Sequence, residues 1–500
     1  MGLTSSNQFK FDNTYSKLPE HFFARLDPTP VQKPSLIKVN HLLARHLGLD
    51  PNFLETPAGT DVLVGNRVPE GAEPLAMAYS GHQFGGWVPQ LGDGRAILLG
   101  EIIDSEGRRQ DVHLKGAGRT PFSRNGDGRA WIGPILREYI LSEAMAALQI
   151  PTTRALAVTT TGETVMREAS FPGAVLARVA SSHIRVGTFQ LFSARQDVEA
   201  LQLLSNHVID RHYPEAKNSS NKYLALLEGV ITRQAELIAK WMAVGFIHGV
   251  MNTDNMSISG ETIDYGPCAF MDTYHPETTF SSIDRMGRYA YAKQPEMALW
   301  NLSRFASTIL PLINPNEETA VKAATDRLNC FQENFDLVWS STFRSKIGLL
   351  GHHDGDTGLA QDLLNCMAAN KADFTLTFRR LCDLSTSKDT KKSNLDVSFT
   401  TLFKDQSAAE YWLVKWRARL RLEEQSELDR QTNMRAMNPT YIPRNHRVEE
   451  VIRAALREDF GPFEKLVDVL SLPFDDQPKK FDFQNPPQQS EIVLETFCGT

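Results

Sequence analysis

The pattern of hydrophobic and polar positions changes along the 500-residue chain. From about residue 76 to 185, short apolar runs alternate with glycine-rich turns, a pattern typical of β-strands. AILLGEIID and DVHLKG predict two strands around a turn at 105–107, and LAVTTTGETVMRE predicts a hairpin that turns near Gly162. PILREYILSEAMAALQIP predicts one helix, which Pro134 and Pro151 bound. We therefore expect a β-rich lobe that contains a single helix.

Helical periodicity predominates after about residue 190. Leu227, Ile231, Ile238 and Met242 form one apolar stripe that leads to His248. From about 290 to 470 the chain is predicted to be mostly helical. Residues 1–75 are broken by prolines and are predicted to wrap around the rest as an extension. The fold class predicted is α+β, with a β-rich lobe followed by a larger helical lobe.

Charge and composition exclude several classes of function. The chain has 53 Lys and Arg against 60 Asp and Glu, a net charge of −7, so no broad basic field exists for nucleic acid or an anionic membrane. The five cysteines are widely spaced and form no CxxC pair, which argues for a reducing compartment and against structural zinc. No apolar leader or membrane span is evident. We expect a cytoplasmic protein without nucleic-acid or membrane partners.

The first candidate motif is the turn LGDGRA, which enters a predicted strand. Glycines at 92 and 94 let backbone N–H groups approach an anion closely, and Arg95 adds a charged donor. Most glycine-rich turns are only turns, so Gly92 and Gly94 alone are a weak signal.

The second motif is VHLK, in which Lys115 ends an alternating strand. It resembles the VAIK strand of protein kinases, whose lysine contacts phosphates and a glutamate on a helix. Glu138, on the one predicted helix, is the candidate glutamate. The intervening loop adds Asp127 and Gly128 near the same phosphates. The alternative reading of Lys115 is an exposed lysine at a strand end.

The third and fourth motifs follow the apolar stripe. HGVMNTDN resembles the kinase loop HGDxxxxN, with Asn255 in the place of the metal-binding asparagine. Val250 occupies the position of the usual base, and the nearest carboxylate is Asp254. IDYGP resembles the metal-binding DFG segment, with Asp264 at the end of a hairpin strand. The order and spacing of these motifs favour a kinase-like nucleotide site.

Two arginines, Arg178 and Arg185, lie at the junction between the predicted lobes. One alternative is that they are surface or hinge residues paired with carboxylates. Their place facing the proposed cleft favours the other reading, in which they join Lys115 in a phosphate pocket. That pocket is more cationic than an ordinary kinase requires.

Together these motifs closely resemble the selenoprotein O family of kinase-fold protein adenylyltransferases. The likeness also includes LKGAGRTPFSR, REYILSEAM, NPTYIPRNHRVEEVI and the terminal FCGT, and so spans nearly the whole chain. It implies a bilobal protein-kinase-like fold. The segments expected are an N-terminal extension (1–75), an N-lobe (76–187), a C-lobe with the catalytic loop and DYG (188–410), and a C-terminal helical extension with a flexible tail (411–500).

The resemblance implies transfer of AMP from ATP to Ser, Thr or Tyr hydroxyls of proteins, the enzyme itself among the candidates, with release of pyrophosphate. ATP would bind in a flipped orientation, with its γ-phosphate buried and its α-phosphate facing the acceptor. Lys115, Arg178 and Arg185 would hold the phosphates. The residues around the nucleotide would be Gly92, Gly94, Arg95, Asp127 and Gly128.

The remaining roles also come from the resemblance. Glu138 would position Lys115, Asn255 and Asp264 would bind Mg²⁺ or Mn²⁺, and Asp254 would accept the proton. The other role open to Asp254 is to orient the loop that holds Asn255. Cys498, third from the end, would be a redox handle with Cys268 as its candidate partner.

Two other functions stay open on sequence alone. A phosphotransferase acting on a small molecule would share the HGxxxxxN pattern, but Val250 argues against it because valine cannot accept a proton. A pseudokinase scaffold would bind ATP, or nothing, and act through partners.

Overall fold

The computed structural model describes residues 9–386 and 394–496. It confirms a mixed α+β fold with an antiparallel sheet and many helices. The main sheet has the strand order β1-β3-β5-β6-β9-β8-β2, with β4 paired to β3 and β7 paired to β9, and a separate pair is formed by β10 and β11. The strands are β1 Phe23–Arg25, β2 Ser35–Val39, β3 Leu75–Gln83, β4 Gly86–Gly92, β5 Ala96–Ile103, β6 Arg109–Lys115, β7 Ala130–Trp131, β8 Arg154–Met166, β9 Ser170–Ala180, β10 Phe246–Ile247 and β11 Ala269–Phe270.

The helices fall mainly after the sheet, as the periodicity predicted. They are α1 His41–His46, α2 Pro51–Leu54, α3 Pro57–Val64, α4 Ile132–Ala147, α5 Val186–Ala194, α6 Val198–His212, α7 Lys222–Ala243, α8 Gln294–Ile313, α9 Glu317–Leu328, α10 Cys330–Lys346, α11 Asp356–Asn370, α12 Phe374–Leu381, α13 Asn394–Thr400, α14 Gln406–Leu420, α15 Glu427–Met437, α16 Asn445–Ala455 and α17 Gly461–Leu470. None of these helices is long and apolar enough to cross a lipid bilayer.

The sheet is covered on both faces, since alternate residues of its strands enter different cores. On β9, Val175 and Ala177 pack with α1 and α3 in one core, whereas Ala174 and Leu176 pack with α4 in the other. Helices α16 and α17 extend this second core beyond α4. Residues before 75 also add the edge strands β1 and β2, so this part of the chain is joined to the sheet rather than only wrapped around it.

The predicted apolar stripe is confirmed. Leu227, Ile231, Ile238 and Met242 are all buried on α7. At 22 residues, α7 is a long helix whose apolar face packs into the large helical core. The chain leaves α7 through Gly245, where φ is +72°, and enters β10 directly before His248. The HGVMNTDN segment then contacts the end of β3, where the N–H of His82 donates to Thr253 Oγ1 at 2.7 Å.

Two local predictions are wrong. Gly162 does not turn a hairpin, because β8 runs unbroken from Arg154 to Met166 and the turn to β9 comes at 167–169. Gly162 instead lies in a bulge, where the register with β9 shifts between Thr160 and Thr164 and φ is +69°. Asp264 does not end a strand either. It lies in an irregular segment between an isolated bridge at Thr262 and β11.

Candidate active site

A cleft of about 680 Å³ lies between the sheet and the segment that follows α7. Every site residue predicted from the sequence lines it: Gly92, Gly94, Arg95, Lys115, Asp127, Gly128, Glu138, Arg178, Arg185, Asp254, Asn255 and Asp264. The structure therefore brings together residues that are as many as 172 positions apart, since 264 − 92 = 172. Lining the same cleft does not by itself give a residue a role, which depends on the contacts that each residue makes.

One wall of the cleft joins β6 to α4. Lys115 ends β6 and donates from Nζ to the carboxylate of Glu138, which is buried on α4. Arg178, the cross-strand neighbour of His113 on β9, donates to the other oxygen of Glu138 at 3.0 Å. Because two cations share this carboxylate, Glu138 fixes the positions of both without leaving a buried negative charge unpaired.

Asp264 lies where three cations converge. Its Oδ1 accepts a hydrogen bond from Arg178 at 2.6 Å and lies 3.6 Å from Lys115 Nζ, and its Oδ2 accepts from Arg185. Burial alone would raise the pKa of Asp264, but Arg185, Arg178 and Lys115 hold it well below its usual range. The backbone of Asp264 is left-handed, with φ +59°, a conformation that costs energy for a non-glycine residue and points to a functional constraint.

Asp254 lies beside this cation cluster, in a single turn of 3₁₀ helix from Thr253 to Asn255. Gln83, at the end of β3, donates to its Oδ2 at 2.9 Å, whereas Oδ1 has no hydrogen-bond partner among the described residues. Burial raises the pKa of Asp254 to about 6. Arg185 also donates to its backbone oxygen at 2.6 Å. Oδ1 is buried against Gly81, where an added Cβ would lie 2.7 Å from it, so the carboxylate is held between β3 and the cation cluster, and its raised pKa suits a general base.

The opposite wall is the glycine turn and the loop after β6. A side chain at Gly94 would place Cβ 2.8 Å from the backbone oxygen of Phe122, so the turn packs directly against that loop. Gly128 is left-handed, with φ +70°. Asp127 pairs with Arg167 at 2.8 Å rather than pointing free into the cleft. These contacts make the wall compact and leave its backbone close to any bound ligand.

Several cleft residues escaped the sequence reasoning. Asp93, between the two selected glycines, is buried, accepts from His113 Nε2 at 3.2 Å, and lies 3.8 Å from Arg185. His113 in turn contacts Arg178 through Nδ1 at 3.3 Å. The alternation in DVHLK was the available signal, because it places His113 on the same face as Lys115. Gln83, in GHQFGG, carried no comparable signal.

The cleft offers oxygen ligands suited to a hard divalent cation. The amide nitrogen of Asn255 donates to the Val250 carbonyl at 3.0 Å, which leaves the amide oxygen as its acceptor, and Asp264 supplies a carboxylate. In the described part of the chain no three His, Cys, Asp or Glu side chains are grouped as a metal cage. Mg²⁺ commonly binds through one or two protein oxygens and substrate phosphates, and Asn255 and Asp264 offer oxygens of that type, while both Asp264 oxygens accept hydrogen bonds from arginines in this structure.

Comparison with known proteins identifies a family over nearly the whole chain. The family model described as "Protein adenylyltransferase SelO" matches residues 6–471. A relative named protein nucleotidyltransferase YdiU from Bradyrhizobium diazoefficiens is 59% identical over 493 residues, which cover 98% of this chain and 99% of the relative. Proteins of the same name from Rhodopseudomonas palustris strain HaA2 and Methylorubrum extorquens are 58% and 59% identical over 494 residues each, with the same coverage.

Proposed function

The chain belongs to the protein adenylyltransferase SelO family and is therefore a nucleotidyltransferase, and from this premise we propose that it transfers AMP from ATP to Ser, Thr or Tyr hydroxyls of proteins. Proteins named as nucleotidyltransferases of protein substrates cover nearly the whole chain, which supports a protein acceptor. The enzyme's own hydroxyls are included among the acceptors proposed. Pyrophosphate is the leaving product.

The observation that carries this proposal is the convergence of Lys115, Arg178 and Arg185 on one end of the cleft. Both arginines are almost completely buried, with exposures of 2%. Preorganised cations of this kind stabilise the charge that develops on a leaving pyrophosphate. We therefore place the β- and γ-phosphates of ATP against these cations, in the flipped orientation, with the α-phosphate toward Asp254.

The acceptor hydroxyl would attack the α-phosphorus. A new bond forms between the acceptor oxygen and that phosphorus, and the bond from the α-phosphorus to the oxygen bridging to the β-phosphate breaks. Asp254 accepts the hydroxyl proton on its carboxylate, whose raised pKa suits a general base. Asn255 and Asp264 would hold Mg²⁺ or Mn²⁺, which supplies charge neutralisation on the phosphates when bound. Glu138 keeps Lys115 in position, and Gly92, Gly94, Arg95, Asp127 and Gly128 surround the nucleotide.

We also propose the bilobal kinase-like arrangement and its segments, 1–75, 76–187, 188–410 and 411–500. The pairing of Lys115 with a helix glutamate and the position of Asn255 and Asp264 in the same cleft support it. The cytoplasmic location stays a prediction of the sequence.

Transfer from labelled ATP tests the proposed reaction. ATP is labelled at either the α- or the γ-phosphate and incubated with the enzyme, Mg²⁺ and an acceptor protein. Label from the α position in protein, with release of pyrophosphate, is the result expected. Label from the γ position in protein would support a protein kinase, γ-label in a small molecule would support the small-molecule phosphotransferase, and no transfer with retained ATP binding would support a scaffold.

Val250 lines the cleft where a kinase base would lie, which disfavours both phosphotransfer alternatives.

We propose in addition that Cys498 regulates the enzyme by oxidation, with Cys268 as its partner. Cys498 lies outside the described residues. Thr496, however, donates to the carbonyl of Pro267 at 2.6 Å, so the end of the described chain contacts the residue next to Cys268. Oxidation should lower activity and a reductant should restore it. Peptide mapping without reductant would reveal the linked pair, and a Cys498→Ala variant that responds to oxidant as the wild type does would contradict the proposal.

A further inference from the structure

Two arginines lie over one tryptophan beside the turn between β3 and β4, next to Gln83 and Phe84, which line the cleft. The guanidinium carbon of Arg288 lies 4.9 Å from the ring centroid of Trp300, and that of Arg304 lies 5.2 Å from it. Trp300 and Arg304 are four residues apart on α8, and all three side chains are half-buried. Stacking on an aromatic ring holds a guanidinium in place while its N–H edge still faces a ligand.

These two arginines lack carboxylate partners. Among residues 9–386 and 394–496, neither guanidinium has a carboxylate oxygen within 4.0 Å. Asp284, the nearby acid in the same segment as Arg288, is buried and accepts hydrogen bonds from the backbone N–H groups of Arg288 and Tyr289, at 2.8 Å each. Its carboxylate therefore shapes the segment, and within the described part of the chain no carboxylate pairs with the Arg288 guanidinium. The chain as a whole is acidic, with a net charge of −7, whereas this site carries two positive charges over one tryptophan ring.

The arginine pair lies close to residues that line the cleft. The hydroxyl of Tyr289, which follows Arg288, donates at 2.7 Å to Asn252, a cleft residue two positions before Asp254. Arg288 also lies against the turn between β3 and β4, since a Cβ at Gly85 would be 3.8 Å from its guanidinium carbon. A peptide whose hydroxyl reached Asp254 would pass over this surface.

We propose that Arg288, Trp300 and Arg304 bind acidic residues that flank the acceptor hydroxyl of the protein substrate. This inference rests on the proposed function and names the substrate class more closely. Guanidinium groups bind carboxylates through paired, charge-assisted hydrogen bonds, and stacking on Trp300 preorganises them. A protein segment fits better than nucleic acid, because two cations on an acidic chain offer no extended track for a phosphate backbone.

Matched peptides test this surface. One peptide carries Asp and Glu around a serine, and a second carries Asn and Gln in the same places. We expect the wild type to transfer AMP to the acidic peptide with a kcat/KM at least about tenfold higher, the effect of one or more charge-assisted hydrogen bonds. The double variant Arg288→Gln/Arg304→Gln should lose this preference while its KM for ATP stays unchanged. The Arg304→Glu variant should shift the preference toward a peptide flanked by lysines.

Controls separate this inference from the proposed reaction. Arg453→Gln, an exposed arginine on α16, should keep the wild-type preference. Peptide binding is also measured by fluorescence anisotropy, which does not depend on transfer. If the wild type binds the acidic peptide preferentially and no AMP is transferred, the proposed function fails while the docking surface stands. Equal binding of both peptides, an unchanged preference in the double variant, or tighter binding of a single-stranded oligonucleotide than of the acidic peptide would overturn the inference.

Discussion

Arg178 donates from Nη1 to Oδ1 of Asp264 at 2.6 Å, which links strand β9 to a segment 86 residues later in the chain. The same arginine nitrogen also contacts Glu138. A cation proposed to bind phosphate and a candidate metal ligand are thus held in direct contact. ATP phosphates and the Asp264 carboxylate would compete for the same guanidinium, so replacing either residue should affect nucleotide and metal differently.

The Asp264→Asn variant should lose AMP transfer while still binding ATP. Asparagine tolerates the left-handed backbone at this position, so we expect the fold to persist. Since the carboxylate no longer competes with phosphates for Arg178 and Arg185, metal-free ATP should bind at least as tightly as to the wild type. Calorimetric titration with and without Mg²⁺ measures this. Retained activity with an unchanged metal dependence would show that Asp264 is not a metal ligand.

The Arg185→Gln variant should weaken binding of ATP more than binding of AMP. Its guanidinium is placed against phosphates that AMP lacks, and a hydrogen bond to a charged group contributes about 1.5–3 kcal/mol. Dissociation constants for both nucleotides provide the measurement. Arg195→Gln, an exposed arginine ten residues further on, is the control and should bind both nucleotides as the wild type does. Equal losses for ATP and AMP in the Arg185 variant would count against the flipped orientation.

The Gln83→Leu variant should lower kcat and leave the KM for ATP nearly unchanged. Gln83 donates to Asp254 at 2.9 Å, so the substitution removes a hydrogen bond that holds the carboxylate proposed to accept the proton. Loss of one hydrogen bond to a charged group predicts a decrease of roughly 10–100-fold. Gln90→Leu, on the neighbouring strand β4, is the matched control and should retain the wild-type rate. A higher KM for ATP with an unchanged kcat would show that Gln83 serves nucleotide binding instead.

Lys346 gives a prediction about stability and pH. It is buried against the rings of Phe374 and Phe378, and this burial lowers its pKa to about 7. Between about pH 7 and 10.5 the unfolded chain keeps the lysine proton that the folded chain has released, so the free energy of unfolding rises with pH in that window. Below pH 7 the folded protein bears the full cost of a buried ammonium group.

The Lys346→Met variant should therefore be more stable than the wild type at pH 7, by on the order of 1–3 kcal/mol. Its advantage should shrink as the pH rises toward 10. Urea unfolding at several pH values measures this difference. Lys465→Met, an exposed lysine on α17, should follow the wild-type curve. A Lys346 variant that is less stable at pH 7 would mean that the contacts with the aromatic rings outweigh the burial of the charge.

The sequence was sufficient for elements with strong local signals. Short strand-like segments on either side of a turn predicted β5 and β6, and prolines at both ends predicted α4. The sequence predicts a turn at Gly162 where the structure has a bulge, because a glycine at positive φ occurs in both structures. In a bulge the flanking residues stay paired with a neighbouring strand, whereas in a hairpin turn they pair with each other. Which pairing forms depends on residues that are far apart in the sequence.

The same distinction applies to the site. Lys115, Asp254, Asn255 and Asp264 lie in short motifs whose chemistry is readable locally. Asp93 and Gln83 contact partners that are distant in sequence. Whether such a polar side chain is buried cannot be predicted from its neighbours in the sequence. The pairing of Arg288 with Trp300 is of the same kind, because a fold must bring the segment before α8 against that helix.

Intact-mass spectrometry tests the central claim most directly. The purified enzyme and a hydroxyl-rich acceptor protein are incubated with ATP and Mg²⁺, and the mass of each protein is measured before and after. The predicted result is an increase by one or more adenylyl groups, which disappears in the Asp264→Asn variant. An increase by phosphoryl groups, or no change in any protein mass while ATP is consumed, would contradict AMP transfer.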